Sequence, residues 1–144
     1  MKRDDVLPAS YRECFGCGDD NPAGIDLRDL RLDDDGITRA TLNPRPHHAG
    51  FPDVLHGGIA MAALDEAMAY ACTLTTGSWV ATAKIEVKFR RPVPASGALR
   101  LEAGIESGTR RFHTWGRLLL EDGTVAVQAT GLFLPAPRAM TGEL

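Results

Sequence analysis

The run from His56 to Cys72, HGGIAMAALDEAMAYAC, is the one long helical pattern in this 144-residue chain, and it is apolar on nearly every face. A helix without a polar face belongs inside a protein. Most of its positions are alanine, so it is slim, and a sheet can approach it closely. Two acids interrupt it. Asp65 has Met61, Ala62, Met68, Ala69 and Cys72 at three-, four- and seven-residue offsets, which directs its carboxylate into apolar company. Burying such a group without a partner costs several kcal/mol.

The rest of the chain reads as strand. Residues 1–24 form an irregular lead-in, because Pro8, Gly16, Gly18, Asn21-Pro22 and Gly24 break every period. Ile25 to Leu32 alternates apolar and charged residues, Asp33-Asp34-Asp35-Gly36 turns the chain, and Ile37 to Leu42 returns, which predicts an antiparallel hairpin with a solvated acidic tip. Residues 43–55 carry three prolines and a glycine and feed straight into the helix as a loop able to line a pocket. Beyond Gly77, strands are expected at Ala81–Arg91, Leu99–Ile105, Phe112–Leu120 and Val125–Phe133, the four forming a meander. In the first of these, Ala83, Ile85, Val87 and Phe89 share one face, opposite Lys84, Glu86, Lys88 and Arg90. Pro135 and Pro137 close the ordered part and leave residues 135–144 as a tail. The fold class is therefore α+β, one domain over residues 1–144: a mostly antiparallel curved sheet of about six strands wrapped around one long buried helix.

Sixteen Lys and Arg against nineteen Asp and Glu give a net charge of -3, which argues against nucleic acid or a membrane surface as partner. The charged start, Met1 to Asp5, leads into no hydrophobic segment, and the alanine-rich helix is too short to span a bilayer, so a cytoplasmic protein is expected. Three cysteines make a disulfide framework improbable. Cys14-Phe15-Gly16-Cys17 supplies two metal ligands at most, and His47 and His48 would have to complete a zinc site. A tight turn with reduced thiols, and no metal, is the expectation.

His56-Gly57-Gly58, six residues and then Asp65 resembles the hotdog-fold thioesterases of the phenylacetate-pathway (PaaI-like) type. Cys14-Phe15-Gly16-Cys17-Gly18 with Asn21-Pro22 and Gly24, Gly50-Phe51-Pro52, Leu64 to Met68 and Val87 to Pro92 fit the same group, so the likeness spans residues 14–134. The resemblance implies the hotdog fold, a homodimer or a dimer of dimers, and hydrolysis of acyl-CoA thioesters without metal or cofactor, CoA being part of the substrate. It also implies roles: Asp65 as general base or nucleophile, backbone N–H groups of Gly57 and Gly58 polarising the thioester carbonyl, and Thr82 assisting the water. Where some relatives carry an asparagine six residues before the histidine, this chain has Gly50, which leaves His56 as the alternative source of a second carbonyl contact.

These residue types suit that chemistry. A helix N-terminus offers free N–H groups and a positive dipole end, and glycines there admit a substrate carbonyl. Asp65 and Gly57 are eight residues apart, about 12 Å at ~1.5 Å per residue, so one reacting carbon cannot sit near both. The active site should therefore pair Gly57 of one subunit with Asp65 and Thr82 of another. Glu66 is the alternative acid, or else a carboxylate at the dimer interface or bonded to a neighbouring strand. His56 caps the helix or contacts substrate. Arg90, Arg91, Arg110 and Arg111 are candidates for CoA phosphates, because arginine presents a planar fork of donors. Phe51, Met61, Met68 and Trp79 either line the acyl pocket or pack the core. Other readings are an acyl-CoA binding protein without turnover and, with a weaker pattern match, a hotdog-fold dehydratase.

Overall fold

The structure, a computed structural model, describes residues 1–5 and 11–141. Pro8 of the lead-in and the last three residues of the tail lie outside the described residues. Helix α1 spans Gly57–Thr76 and so runs past Cys72, through Thr73 to Thr76. It stops where Gly77 adopts a left-handed conformation (φ 74°) and its N–H bonds the Thr73 carbonyl. At the other end His56 is extended, and its Nδ1 accepts a hydrogen bond from the Gly58 N–H at 2.9 Å. An imidazole thus does the capping that serine or aspartate usually does.

Six strands form one antiparallel sheet: β1 (Arg28–Leu32), β2 (Thr38–Leu42), β3 (Val80–Phe89), β4 (Leu99–Ser107), β5 (Phe112–Leu119) and β6 (Val125–Pro135). Their spatial order is β1-β2-β4-β5-β6-β3, with α1 packed against all six. The meander expected downstream of the helix is therefore only β4-β5-β6. β3 crosses to the far edge beside β6, and β4 pairs with β2 instead, so that both hairpin and meander close on the same helix. This is the hotdog arrangement.

Small residues on both surfaces allow the close approach. Ala103, Gly116 and Ala129 lie side by side across β4, β5 and β6, beneath the helix. A Cβ on Gly116 would come within 3.1 Å of Met68 Cγ and 3.3 Å of Leu64 Cδ2, so this shallow row receives the two large side chains of α1. Around them Ala60, Ala63, Ala67, Leu101, Leu118, Val127 and Phe133 are fully buried.

Two local departures from simple alternation matter. Ile25 and Leu27 are buried as expected, but the strand begins only at Arg28, after Asp26 takes a left-handed backbone conformation (φ 52°); Asp29, inside β1, does the same (φ 55°) where the pairing with β2 shifts register. In β3 the register shifts between Thr82 and Lys84, which leaves Ala83 unpaired. Such a bulge puts an extra residue into one strand and re-aims the side chains beyond it. Thr82 consequently pairs with Phe133 and points to the helix side with Ile85 and Val87, while Ala83 is exposed rather than inward.

The acidic tip is held by arginine: Arg39 reaches Asp33 at 2.7 Å and Asp35 at 2.8 Å. Order also continues past Pro135. The Ala136 N–H bonds the Trp79 carbonyl at 2.8 Å, and a short helix α2 (Arg138–Thr141) follows. Among the described residues no helix is long and apolar enough to cross a membrane.

Because Ala67 has no accessible surface and belongs to the hydrophobic core, Ala67→Leu should overpack that core and destabilise the protein by about 1–3 kcal/mol. Urea unfolding will show this as a lower midpoint with an unchanged slope.

Candidate active site

Asp65 lies at the middle of α1 and faces β3. Thr82 Oγ1 donates a hydrogen bond to its Oδ1 at 2.7 Å. Burial pushes the Asp65 carboxyl above the ordinary aspartate range, and the Thr82 hydrogen bond, which favours the charged form, opposes the shift only in part. The bulge at Ala83 creates this contact, since strict alternation would have placed Thr82 with Lys84 on the opposite face. Thr82 is exposed and Asp65 half-buried, so the pair opens toward the free edge of the sheet.

The second candidate group is the start of α1. Gly58 already spends its N–H on His56 Nδ1. Gly57, the first helical residue, is left as the available donor, and the Phe89 ring lies against its Cα, 3.4 Å from where a Cβ would stand. Gly50 packs on His56 from the other side. His56 thus orients the helix entrance. Phe89, assigned by alternation to the inner face, is instead 55% exposed, an aromatic wall beside Gly57 that periodicity alone did not single out.

Within one subunit these two groups stay apart. Phe89 pairs with Val127, whereas Thr82 pairs with Phe133, six residues along β6 and hence ~20 Å away at ~3.3 Å per residue. The arginine pairs separate in the same way. Arg90 and Arg91 follow Phe89, with Arg90 Nε donating to Gln128 Oε1 at 2.6 Å, while Arg110 and Arg111 precede Phe112, which pairs with Phe133. Of the apolar candidates, Met68 is core: it is fully buried and accepts from Thr114 Oγ1 at 3.3 Å. Trp79 stacks on Tyr11 and meets Tyr70 edge-on. Met61 and Phe51 are exposed, at 38% and 79%.

Glu66 has the Cys14 thiol as its hydrogen-bond partner, not a strand. It is covered by the Cys14–Cys17 turn, so close that a Cβ on Gly16 would lie 2.4 Å from its Cδ. Burial pushes its carboxyl up to about 8. Cys14 Sγ is 3.6 Å from Glu66 Oε1, and hydrogen bonding from Cys17, aided by the backbone amides of Gly16 and Cys17, draws the Cys14 thiol down to about 5. Cys17 is fully buried, and its thiol is pushed upward by its contact with Cys14 and by burial. The histidines do not take part: His48 Nδ1 accepts from the Arg45 N–H at 3.1 Å, and His47 stacks edge-on against His48.

A sequence profile of the thioesterase superfamily matches residues 53–126, just over half of the chain. The acyl-coenzyme A thioesterase THEM4 of Bos taurus is 28% identical over 127 residues, which are 87% of this chain and 52% of THEM4. The chain thus spans about half the length of this curated relative. A thioesterase superfamily protein of known crystal structure superposes with a TM-score of 0.77 at 27% identity, covering 85% of this chain and 60% of that one. The PaaI protein of the Escherichia coli phenylacetic acid degradation operon shares the fold, with a TM-score of 0.65 at 19% identity over 71% of this chain and 74% of its own. The match from Asp53 through the glycine pair, α1 and the following strands is sufficient to assign the family: the chain belongs to the thioesterase superfamily.

Proposed function

We propose that this protein hydrolyses acyl-CoA thioesters at a site built from two subunits. The observation that carries the reading is the placement of Asp65, a half-buried carboxylate held by Thr82 at 2.7 Å, on the same helix as the unspent Gly57 N–H but too far along it to serve one carbonyl. The name of the bovine relative supports CoA thioesters as the substrate class.

The sheet topology supports the partner subunit. β3 ends the strand order with β6 on one side only, so its other edge offers unpaired backbone groups to a second strand. Antiparallel pairing of two β3 edges about a twofold axis sets the Phe89 end of one subunit against the Thr82 end of the other. Gly57 of one copy then faces Asp65 and Thr82 of its partner, and Arg90 and Arg91 approach the partner's end of the sheet that carries Arg110 and Arg111.

In this site the thioester carbonyl oxygen accepts from the Gly57 N–H, where the helix dipole favours the negative charge that develops. Asp65 either removes a proton from water as the hydroxyl adds to the carbonyl carbon, or adds to that carbon itself. Thr82 fixes the carboxylate through its hydroxyl. Collapse of the tetrahedral intermediate breaks the carbon–sulfur bond. By the first route the protonated Asp65 gives its proton to the departing CoA thiolate as the carboxylic acid forms. By the second, CoA leaves as the thiolate and takes its proton from water, and a further water hydrolyses the Asp65 mixed anhydride to the acid and the free carboxylate. The raised pKa makes Asp65 a stronger base than an exposed aspartate. No cofactor is required by these steps.

Thiol release from a panel of acyl-CoAs tests the reading. Asp65→Asn should lower kcat by about 100-fold or more, the usual worth of a positioned general base, and Thr82→Ala by less. Turnover by Asp65→Asn equal to wild type would overturn Asp65 as base or nucleophile; binding without turnover in both proteins would leave an acyl-CoA carrier.

The two-subunit arrangement has its own test. Gly57 stands at the first helical position, where proline is tolerated, and His56 is already extended (ψ 133°), so Gly57→Pro deletes the N–H without breaking α1. Alone, Gly57→Pro and Asp65→Ala should each lose about 100-fold or more in kcat. Mixed dimers of the two contain one intact site and should regain activity. Dimers shown to be mixed that stay inactive would refute the shared site.

A further inference from the structure

The Cys14-Cys17 turn and Glu66 form a second cluster that the hydrolytic site does not use. The two thiol sulfurs and a Glu66 carboxylate oxygen all lie within 4.8 Å of one another. We infer that Cys14, Cys17 and Glu66 bind a zinc ion that clamps the N-terminal loop onto α1, one residue from Asp65.

Three observations support the inference. The first is donor geometry. Zn–S bonds near 2.3 Å and Zn–O bonds near 2.1 Å put the sulfur–oxygen edge of a tetrahedron at about 3.6 Å, which is the separation of Cys14 Sγ and Glu66 Oε1. Two thiolates with two residues between them are a usual half of a zinc site, and their softness selects zinc over magnesium or calcium.

The second is that the turn is built to hold these groups. The Gly18 N–H bonds the Cys14 carbonyl at 2.9 Å, and a Cβ on Gly18 would lie 2.5 Å from the Cys14 nitrogen, so only glycine fits where the chain turns back. Gly16 leaves the space that the Glu66 carboxylate fills. Tyr70, one turn along α1 from Glu66, places its hydroxyl 3.3 Å from Cys17 Sγ, where it can donate to a metal-bound thiolate and steady it.

The third is charge and room. None of the ion pairs among the described residues includes Glu66, so its carboxylate and the thiols converge without a protein cation. A cavity of about 160 Å³, lined by Cys14, Glu66, Tyr70, Tyr11 and Trp79, borders the cluster. It is large enough for a water molecule as fourth ligand. His47 and His48, the ligands the sequence suggested, stand outside the cluster.

Cobalt(II) is the probe. Added to the reduced, metal-free full-length protein, it should bind one equivalent and give a thiolate-to-cobalt charge-transfer absorption, which zinc then abolishes by displacement. Cys14→Ser and Cys17→Ser should each remove most of that absorption. Glu66→Gln should weaken cobalt binding at least tenfold and change the visible ligand-field bands, while His47→Ala leaves both unchanged. Zinc should also raise the unfolding temperature of wild type, reversibly with chelator, and have no effect on Cys14→Ser. Absence of the charge-transfer absorption in reduced wild type would overturn the inference whatever the variants do. So would an absorption that survives in both serine variants, since it would then arise from Cys72, or a Cys14–Cys17 disulfide that persists in thiol reductant and bars the metal.

Discussion

Close contact between α1 and the sheet is the constraint on which the structure depends. An alanine-rich helix buries little area per residue, so it stabilises the fold only if the sheet comes near it along its whole length. The row Ala103, Gly116 and Ala129 provides that approach, and Leu64 and Met68 fill it. Every larger side chain on either surface would have to be accommodated by moving the helix, and with it both of its acids. The packing and the chemistry of the helix are thus set by the same residues.

Once the helix is enclosed, Asp65 and Glu66 must each be covered by something. They stand about 100° apart around the axis, and two different parts of the chain meet them: β3 brings Thr82 to Asp65, and the Cys14–Cys17 turn closes over Glu66. A carboxylate held by one hydroxyl at an open sheet edge keeps access to water and substrate. A carboxylate beneath a cysteine turn has its carboxyl pushed up to about 8 by burial and meets thiols instead of a hydroxyl. Adjacent acids on one helix therefore acquire separate chemistry, because burial and partners differ over a single residue.

The helix start shows the same economy. His56 satisfies the Gly58 N–H, which leaves the Gly57 N–H unspent at the dipole's positive end. Phe89 walls one side of that position, and the prolines of residues 43–55 hold the preceding loop in place through short-range turns such as Pro46–His48. A hydrogen-bond donor that is fixed, dry on one side and not otherwise engaged is preorganised for an oxyanion.

The sequence by itself determined the local elements. The apolar run with glycine on either side specified α1, the period-two stretches specified the strands, and the spacing of His56-Gly57-Gly58 and Asp65 pointed to the family, because each of these rests on neighbours in the chain. Partner choice and register rest on residues far apart in sequence, so only the tertiary structure decided them. It sent β3 beside β6 and β4 beside β2, and it inserted Ala83 as a bulge that turned Thr82 toward Asp65 against the alternation. It also buried Met68 in the core, exposed Phe89, and brought Cys14 and Cys17 to Glu66, 52 residues from Cys14. Alternation gives the face of a strand only while its register is unbroken, and no local pattern says which distant loop will cover a buried acid.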